Sequence, residues 1–287
     1  MKLNNKNAII TGANRGLGKA IVTEFVKEGA SVIICARNYE KLLEVKTELE
    51  KYAGKEKRIA IIQADVSKEE SVAEILENVE NLWKGKVDIL VNNAGIHGPL
   101  GLIEEIDWGK WMEAININLI APVMLMREII PLMKKQNHGK IVNISGGGAT
   151  SPMPNFSAYA ATKAAIVRLT ETFAMECRNF NVDINAVAPG AMNTRLLQEV
   201  IDAGPQKVGQ AYYERSLQLN ESGGASLENA AKLCVYLGSD KSNGITGKLI
   251  SAVWDPWEDL EIHAETLAQK DIYTLRRIVP EDRGERW

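Results

Sequence analysis

Residues 7–26 constrain the fold more than any other stretch of this chain. Asn7-Ala8-Ile9-Ile10-Thr11 is a short apolar run of the kind that forms a strand buried on both faces. It breaks at Gly12-Ala13-Asn14-Arg15-Gly16-Leu17-Gly18, after which Ile21, Val22, Phe25 and Val26 recur at helical spacing. In a strand–loop–helix unit the glycines let the backbone approach a pyrophosphate, whose charge sits against the helix N-terminus. A plain glycine-rich turn is the competing reading.

The pattern then repeats. Strands are predicted at Ser31–Cys35, Arg58–Gln63, Val87–Val91, Lys140–Ser145, Asp183–Val187 and Leu249–Val253. Helices are predicted at Glu40–Tyr52, Lys68–Trp83 with Ser67 as N-cap, Trp108–Met133, Tyr159–Phe180 and Leu227–Leu237, with Pro131 expected to kink or end the third. Such alternation predicts an α/β fold, a doubly wound parallel sheet with ligands at the carboxyl ends of its strands. Domain boundaries follow: 1–253 as one binding and catalytic domain, with 191–226 as a helical lid, and 254–287 as a C-terminal extension.

The second strand ends in Ala36-Arg37-Asn38, with no acid before Glu40. A carboxylate here would bind a free ribose 2′-hydroxyl, whereas a cation suits a 2′-phosphate. Arg37, with Arg15 in the glycine loop, therefore favours NADP(H), with NAD(H) possible; two solvated surface arginines are the alternative.

Tyr159 and Lys163 are four residues apart, so on a helix they share a face. A phenol near pKa ~10 needs roughly 4 kcal/mol of differential stabilisation to titrate near neutrality. A neighbouring ammonium works in that direction, and the expectation is a lowered Tyr159 pKa with help beyond Lys163.

The remaining composition removes whole classes of function. A net charge of -3 without a basic run argues against nucleic acid. Cys35, Cys177 and Cys234 lie far apart, as do His97, His138 and His263, so no metal site is expected and the cysteines suit a reducing compartment. The polar start carries no apolar signal core, and Ile115–Met133, interrupted by Asn116, Asn118, Arg127 and Glu128, reads as too mixed to span a bilayer. A cytoplasmic protein is expected, with no membrane partner.

With these features assembled, the chain resembles the short-chain dehydrogenase/reductase family, in its compact single-domain branch. The resemblance runs from Asn7 to about Ser251. It rests on Thr11-Gly12-x-x-x-Gly16-x-Gly18, Asn92-Asn93-Ala94-Gly95, Asn118, Tyr159-x-x-x-Lys163 and Pro189-Gly190-x-x-x-Thr194. It implies a Rossmann-like fold and an NAD(P)-dependent oxidoreductase acting on a small carbonyl/alcohol pair, as a homodimer or homotetramer. It also implies that Tyr159 passes the proton, that Lys163 lowers its pKa and holds the nicotinamide ribose, and that Asn118 positions a water. Asp65 and Val66 would meet the adenine, Asn92, Ala94 and Gly95 would line the cofactor cleft, and Pro189, Gly190 and Thr194 would hold the nicotinamide end.

Two features depart from the family. A serine is usual thirteen residues before the tyrosine, and here Gly146 stands there. Ser145 is the nearest hydroxyl, and Gly146-Gly147-Gly148 offers the backbone freedom to turn it inward. Thr150 or Ser151 are alternatives, as are backbone amides or the substrate's own hydroxyls, and on this last account a serine restored at 146 would raise activity on simple ketones. The tail combines Trp254, Trp257, Tyr273 and Trp287 with Arg276, Arg277, Arg283 and Arg286. It reads either as packing against the core or a neighbouring subunit, or as a surface for an anionic, hydroxylated ligand. Two other functions remain open at this point: a cofactor-binding protein with little catalysis, or an epimerase or dehydratase working through a keto intermediate.

Overall fold

A computed structural model describes residues 1–53 and 58–287. Among them, β1 (Asn7–Thr11), β2 (Ser31–Ala36), β3 (Ile59–Gln63), β4 (Ile89–Asn92), β5 (Gly139–Ile144), β6 (Val182–Ala188) and β7 (Leu249–Ser251) form one parallel sheet. Its order is β3-β2-β1-β4-β5-β6-β7. The helices are α1 (Gly16–Lys27), α2 (Tyr39–Glu50), α3 (Glu69–Trp83), α4 (Trp108–Ile115), α5 (Ala121–Gln136), α6 (Ser157–Cys177), α7 (Arg195–Ala203), α8 (Pro205–Val208), α9 (Gln210–Ser222), α10 (Leu227–Gly238) and α11 (Ala264–Gln269). The fold class expected from the sequence is observed.

The strands read as continuous apolar runs because both faces of the sheet are covered. Ile10 and Ile34 join one core with Val22 and Phe25 of α1 and Leu233 and Leu237 of α10. Their neighbours Ile9 and Ile33 point the other way, into a core with Ile75 of α3, Leu125 and Ile129 of α5 and Ile166 of α6. From β1 the chain builds outward through β2 and β3, then returns to β4 on the other side of β1. That reversal leaves a crevice at the carboxyl ends of β1 and β4, where a parallel sheet presents its ligand site.

Local readings are corrected at several points. Ser67 does not cap α3: its hydroxyl donates to Asp65 Oδ1 at 2.8 Å, and Lys68 occupies the cap position. Pro131 does not end its helix, which continues to Gln136 and stops where Asn137 adopts φ 52°. Arg127, whose carbonyl loses its bond to the proline, is exposed, as is Pro131, so water can serve that oxygen. The irregularity falls instead at Asn116–Ile120, a turn of π-helix between α4 and α5. The helical run Trp108–Gln136, 29 residues long, holds a stretch with a mean hydropathy of 1.4, more apolar than expected and long enough by composition alone to cross a membrane, a test that a core helix also passes. Its buried face, Leu125, Met126, Ile129 and Met133, is packed on the sheet.

Two segments lie outside the alternation. Residues 191–226 hold α7, α8 and α9, and their ends are pinned together by a bridge between Met192 and Gly224 and by Ala225 N–H donating to Ala191 O at 2.7 Å. The tail folds back on the core: Trp257, Leu260 and Leu267 join the α1–α10 core, and Leu249 N–H donates to Tyr273 O at 2.8 Å. Arg276 is taken up by Asp282, at 2.6 and 2.9 Å, and by Asp271 at 2.9 Å. Trp257 and Arg276 are thus engaged within the protein. Trp254, 84 % exposed, is the tail residue that borders the crevice.

Candidate active site

The crevice is a cleft of about 1130 Å³ between the strand ends and residues 191–226. One half begins at the turn from β1 to α1. Gly12 has φ 65°, and a Cβ on it would stand 2.8 Å from Ala94 Cα, so only glycine lets the two loops meet. Thr11 Oγ1 ties them, accepting from the N–H groups of Asn93 and Ala94, each at 3.0 Å. Asn93 Nδ2 donates to Thr11 O at 2.9 Å. The outcome is an open glycine loop at a helix N-terminus, with backbone exposed where an anion would sit.

Gly12, Asn14, Arg15, Gly16, Leu17 and Gly18 all line the cleft, as do Arg37, Asp65, Val66, Ala94 and Gly95. Asn92 does not, which corrects one expectation. Its side chain is buried behind the loop, where Nδ2 donates to Asn143 Oδ1 at 2.8 Å. The cations expected for a 2′-phosphate lie together at this end. Burial, then the neighbouring Arg195, pull the Arg15 guanidinium below its usual value, and Arg37 adds to the effect. Arg37 is half-exposed, with Glu113 3.8 Å away. The glycine loop and these cations fit a dinucleotide.

The other half is built by α6. Tyr159 and Lys163 share its inner face, with Lys163 Nζ 5.5 Å from the Tyr159 ring centroid. Lys163 donates to Ile144 O at 2.7 Å, which aims its ammonium at the end of β5. The expected lowering of the Tyr159 pKa is not what this site shows. Burial pushes the phenol upward, with Tyr212 adding to it, and burial pulls Lys163 down to about 8. Burial is the largest cause at both groups, and it disfavours the phenolate and the ammonium alike.

Asn118 lies in the π-turn and is 2 % exposed. It holds the residue after Gly95 from both sides: Oδ1 accepts from Ile96 N–H at 2.9 Å and Nδ2 donates to Ile96 O at 2.8 Å. Nδ2 also donates to Thr162 Oγ1 at 3.1 Å, linking that loop to the turn of α6 beside Lys163. Pro189, Gly190 and Thr194, between β6 and α7, close the cleft's far wall.

Ser145 and Gly146 both reach the cleft. Ser145 is held in line by its N–H donating to Val187 O at 2.8 Å, so the glycine run does not loosen it. Its hydroxyl is buried without a hydrogen-bond partner among the described residues. Gly146 serves a second purpose: a Cβ there would stand 3.0 Å from Tyr159 Cζ and nearer still to the phenolic oxygen.

His97 is the residue that sequence reasoning passed over. It is 7 % exposed at the cleft wall, with its ring edge-on to Tyr159 at 4.9 Å and to Phe156 at 5.5 Å between centroids. Burial, and then the charge of Lys163, pull its pKa down to about 4, so the imidazole is neutral at physiological pH. Its place two residues beyond Asn92-Asn93-Ala94-Gly95, at the mouth of a parallel sheet, was the available signal.

Comparison with known proteins agrees with this geometry. A family model described as short chain dehydrogenase matches residues 6–204. The chain is 34 % identical over 252 residues to the 3-oxoacyl-(acyl-carrier-protein) reductase of Thermotoga maritima, covering 87 % of this chain and 97 % of that protein. A putative NAD(P)-dependent gluconate 5-dehydrogenase from Beutenbergia cavernae, solved with bound NADP, aligns with a TM-score of 0.76 at 29 % identity, over 88 % of this chain and 96 % of that one. An NAD+-bound xylitol dehydrogenase aligns at 0.79 and 25 % identity, over 88 % and 98 %.

Proposed function

Because this chain belongs to the short-chain dehydrogenase/reductase family and is an NAD(P)-dependent oxidoreductase, we propose that it works with NADP(H) on a small carbonyl/alcohol pair, with Tyr159 as the proton carrier. The observation that carries the reading is the pairing of Tyr159 and Lys163 on one face of α6, in the same cleft as the glycine loop. The bound nicotinamide supplies or accepts the hydride. Tyr159 hands a proton to the substrate oxygen in reduction and takes it back in oxidation. Burial keeps the phenol protonated in the free site, which suits the donor's role. Lys163, drawn down to about 8, adds positive charge beside the phenol whenever it is protonated. Asn118 fixes the loop and helix between which Lys163 extends. Ser145, the hydroxyl adjacent to Gly146 in sequence, donates to the substrate oxygen.

Arg15 and Arg37 support NADP(H) over NAD(H). The relatives do not choose, since one structure holds NADP and another NAD+. The family's membership weighs against a protein that only binds cofactor and against an epimerase or dehydratase. We further read the chain as a cytoplasmic homodimer or homotetramer, consistent with three free, buried cysteines. Sedimentation would give the oligomeric state.

The test is NADPH oxidation across a panel of ketones, aldehydes and keto sugars, followed by absorbance. Tyr159→Phe is expected to abolish turnover of any substrate found while leaving NADPH binding nearly unchanged. Substantial activity in that variant would mean the proton travels elsewhere.

A further inference from the structure

We propose that His97 is a positioning residue for Tyr159, and that Glu199, carried on α7, is the acceptor that holds it in place. The proposal rests on the reading of Tyr159 as proton carrier. His97 Nδ1 is buried with no hydrogen-bond partner among the described residues, a costly state for a polar atom unless some nearby group can supply one. Glu199 Oε2 lies 3.9 Å from it, too far for a bond and about 1 Å short of one. The other carboxylate oxygen, Oε1, is already engaged: Arg195 Nε and an adjacent guanidinium nitrogen both reach it at 2.6 Å. Oε2 is thus the oxygen left for His97.

A small advance of α7 toward the loop after β4, or a change of the Glu199 rotamer, closes the gap. Nδ1–H then donates to Glu199 Oε2, and the ring is fixed edge-on against Tyr159, which it already meets at 4.9 Å. Phe156 holds the ring from another side at 5.5 Å. A neutral imidazole is the right species, since it keeps a donor at Nδ1 without placing a second charge beside Lys163. The remote end of the device reaches the glycine loop. Arg15 feels the charges of both Arg195 and Glu199, so an anion bound at Arg15 competes for the arginine that now holds Glu199. Dinucleotide binding and Tyr159 positioning would in this way be coupled through two side chains outside the family motifs.

Imidazole ¹⁵N spectra of the intact protein, with and without NADPH at pH 7, test this without requiring a known substrate. The expected result is a neutral His97 with its proton on Nδ1, protected from solvent in the NADPH complex. Glu199→Ala should remove that protection, and Glu199→Gln, which keeps an acceptor oxygen, should restore it. A proton on Nε2 in both states, or a spectrum indifferent to Glu199→Ala, overturns the proposal. On a substrate from the carbonyl panel, His97→Phe keeps the ring and loses the donor, so kcat should fall about tenfold, within the cost of misplacing a reacting group. By the same coupling NADPH should bind a few-fold more weakly, and His97→Asn, whose amide nitrogen stands near the Nδ1 position, should recover part of the rate. An unchanged kcat in His97→Phe also overturns the proposal. If Tyr159→Phe retains turnover, the proton-carrier reading fails by itself, and the Nδ1–Glu199 bond is still decided by the spectra.

Discussion

The Tyr159 hydroxyl lies over Gly146, in the space that any side chain at position 146 would need. A serine at that position in this chain would not complete the site, because its Cβ would collide with the phenol. The expectation that restoring the serine raises activity is reversed by this contact. Gly146→Ser and Gly146→Ala should both displace Tyr159 and lower kcat, by about 10²-fold if the phenol moves by an ångström. Steady-state kinetics of Gly146→Ala decide the matter, and a rate equal to or above that of the unaltered protein would show that Tyr159 moves aside freely.

Ser145 carries a sharper pair of expectations. Its buried hydroxyl has no partner among the described residues, so Ser145→Ala should leave stability unchanged or raise it by up to about 1 kcal/mol. If the hydroxyl donates to the substrate oxygen, the same change should lower kcat by about 10²-fold with a smaller effect on KM. Urea titration and kinetics on one preparation measure both. A silent kinetic result would remove Ser145 from the site.

Cofactor preference should follow Arg37. NADPH is expected to bind more tightly than NADH, and Arg37→Asp to shift the preference toward NADH, by exchanging a phosphate partner for a ribose hydroxyl partner. Glu113, 3.8 Å from Arg37, places a negative charge beside the same guanidinium, so Glu113→Gln should strengthen NADPH binding a few-fold. Fluorescence titrations with both cofactors provide the check. Equal affinities in the unaltered protein would remove the case for NADP(H).

His97 predicts an acid-sensitive stability. Its folded pKa of about 4 lies below the unfolded value of 6.5, so the unfolded chain binds the proton first as pH falls. Its neutral burial is therefore fully tolerated above pH 6.5, and stability is lost from there down to about pH 4, by roughly 3 kcal/mol in all. His97→Phe should flatten that limb of the pH–stability curve, measured by urea unfolding at pH 7, 5.5 and 4.5. Parallel curves for the two proteins would contradict the burial argument.

The sequence by itself determined the class of fold and most of the cofactor half. Strands buried on both faces read as unbroken apolar runs, and glycines 12, 16 and 18 are legible because a strand precedes them and an apolar helical stripe follows. Tyr159 and Lys163 were legible for the same reason, since helical spacing alone puts them on one face. Only the tertiary structure decided the rest. Asn92 and Asn93 are identical neighbours in sequence, yet one is sealed behind the loop against Asn143 and the other braces the glycine turn. The continuation of the helix past Pro131 depends on which of its sides meets water. The direction of the Tyr159 shift depends on how much apolar surface surrounds the phenol, which no spacing encodes. His97, Gly146 and Glu199 come from the loop after β4, the end of β5 and a helix beyond β6. They acquire meaning where those segments converge on Tyr159, because distances between chain segments are set by packing and not by sequence separation.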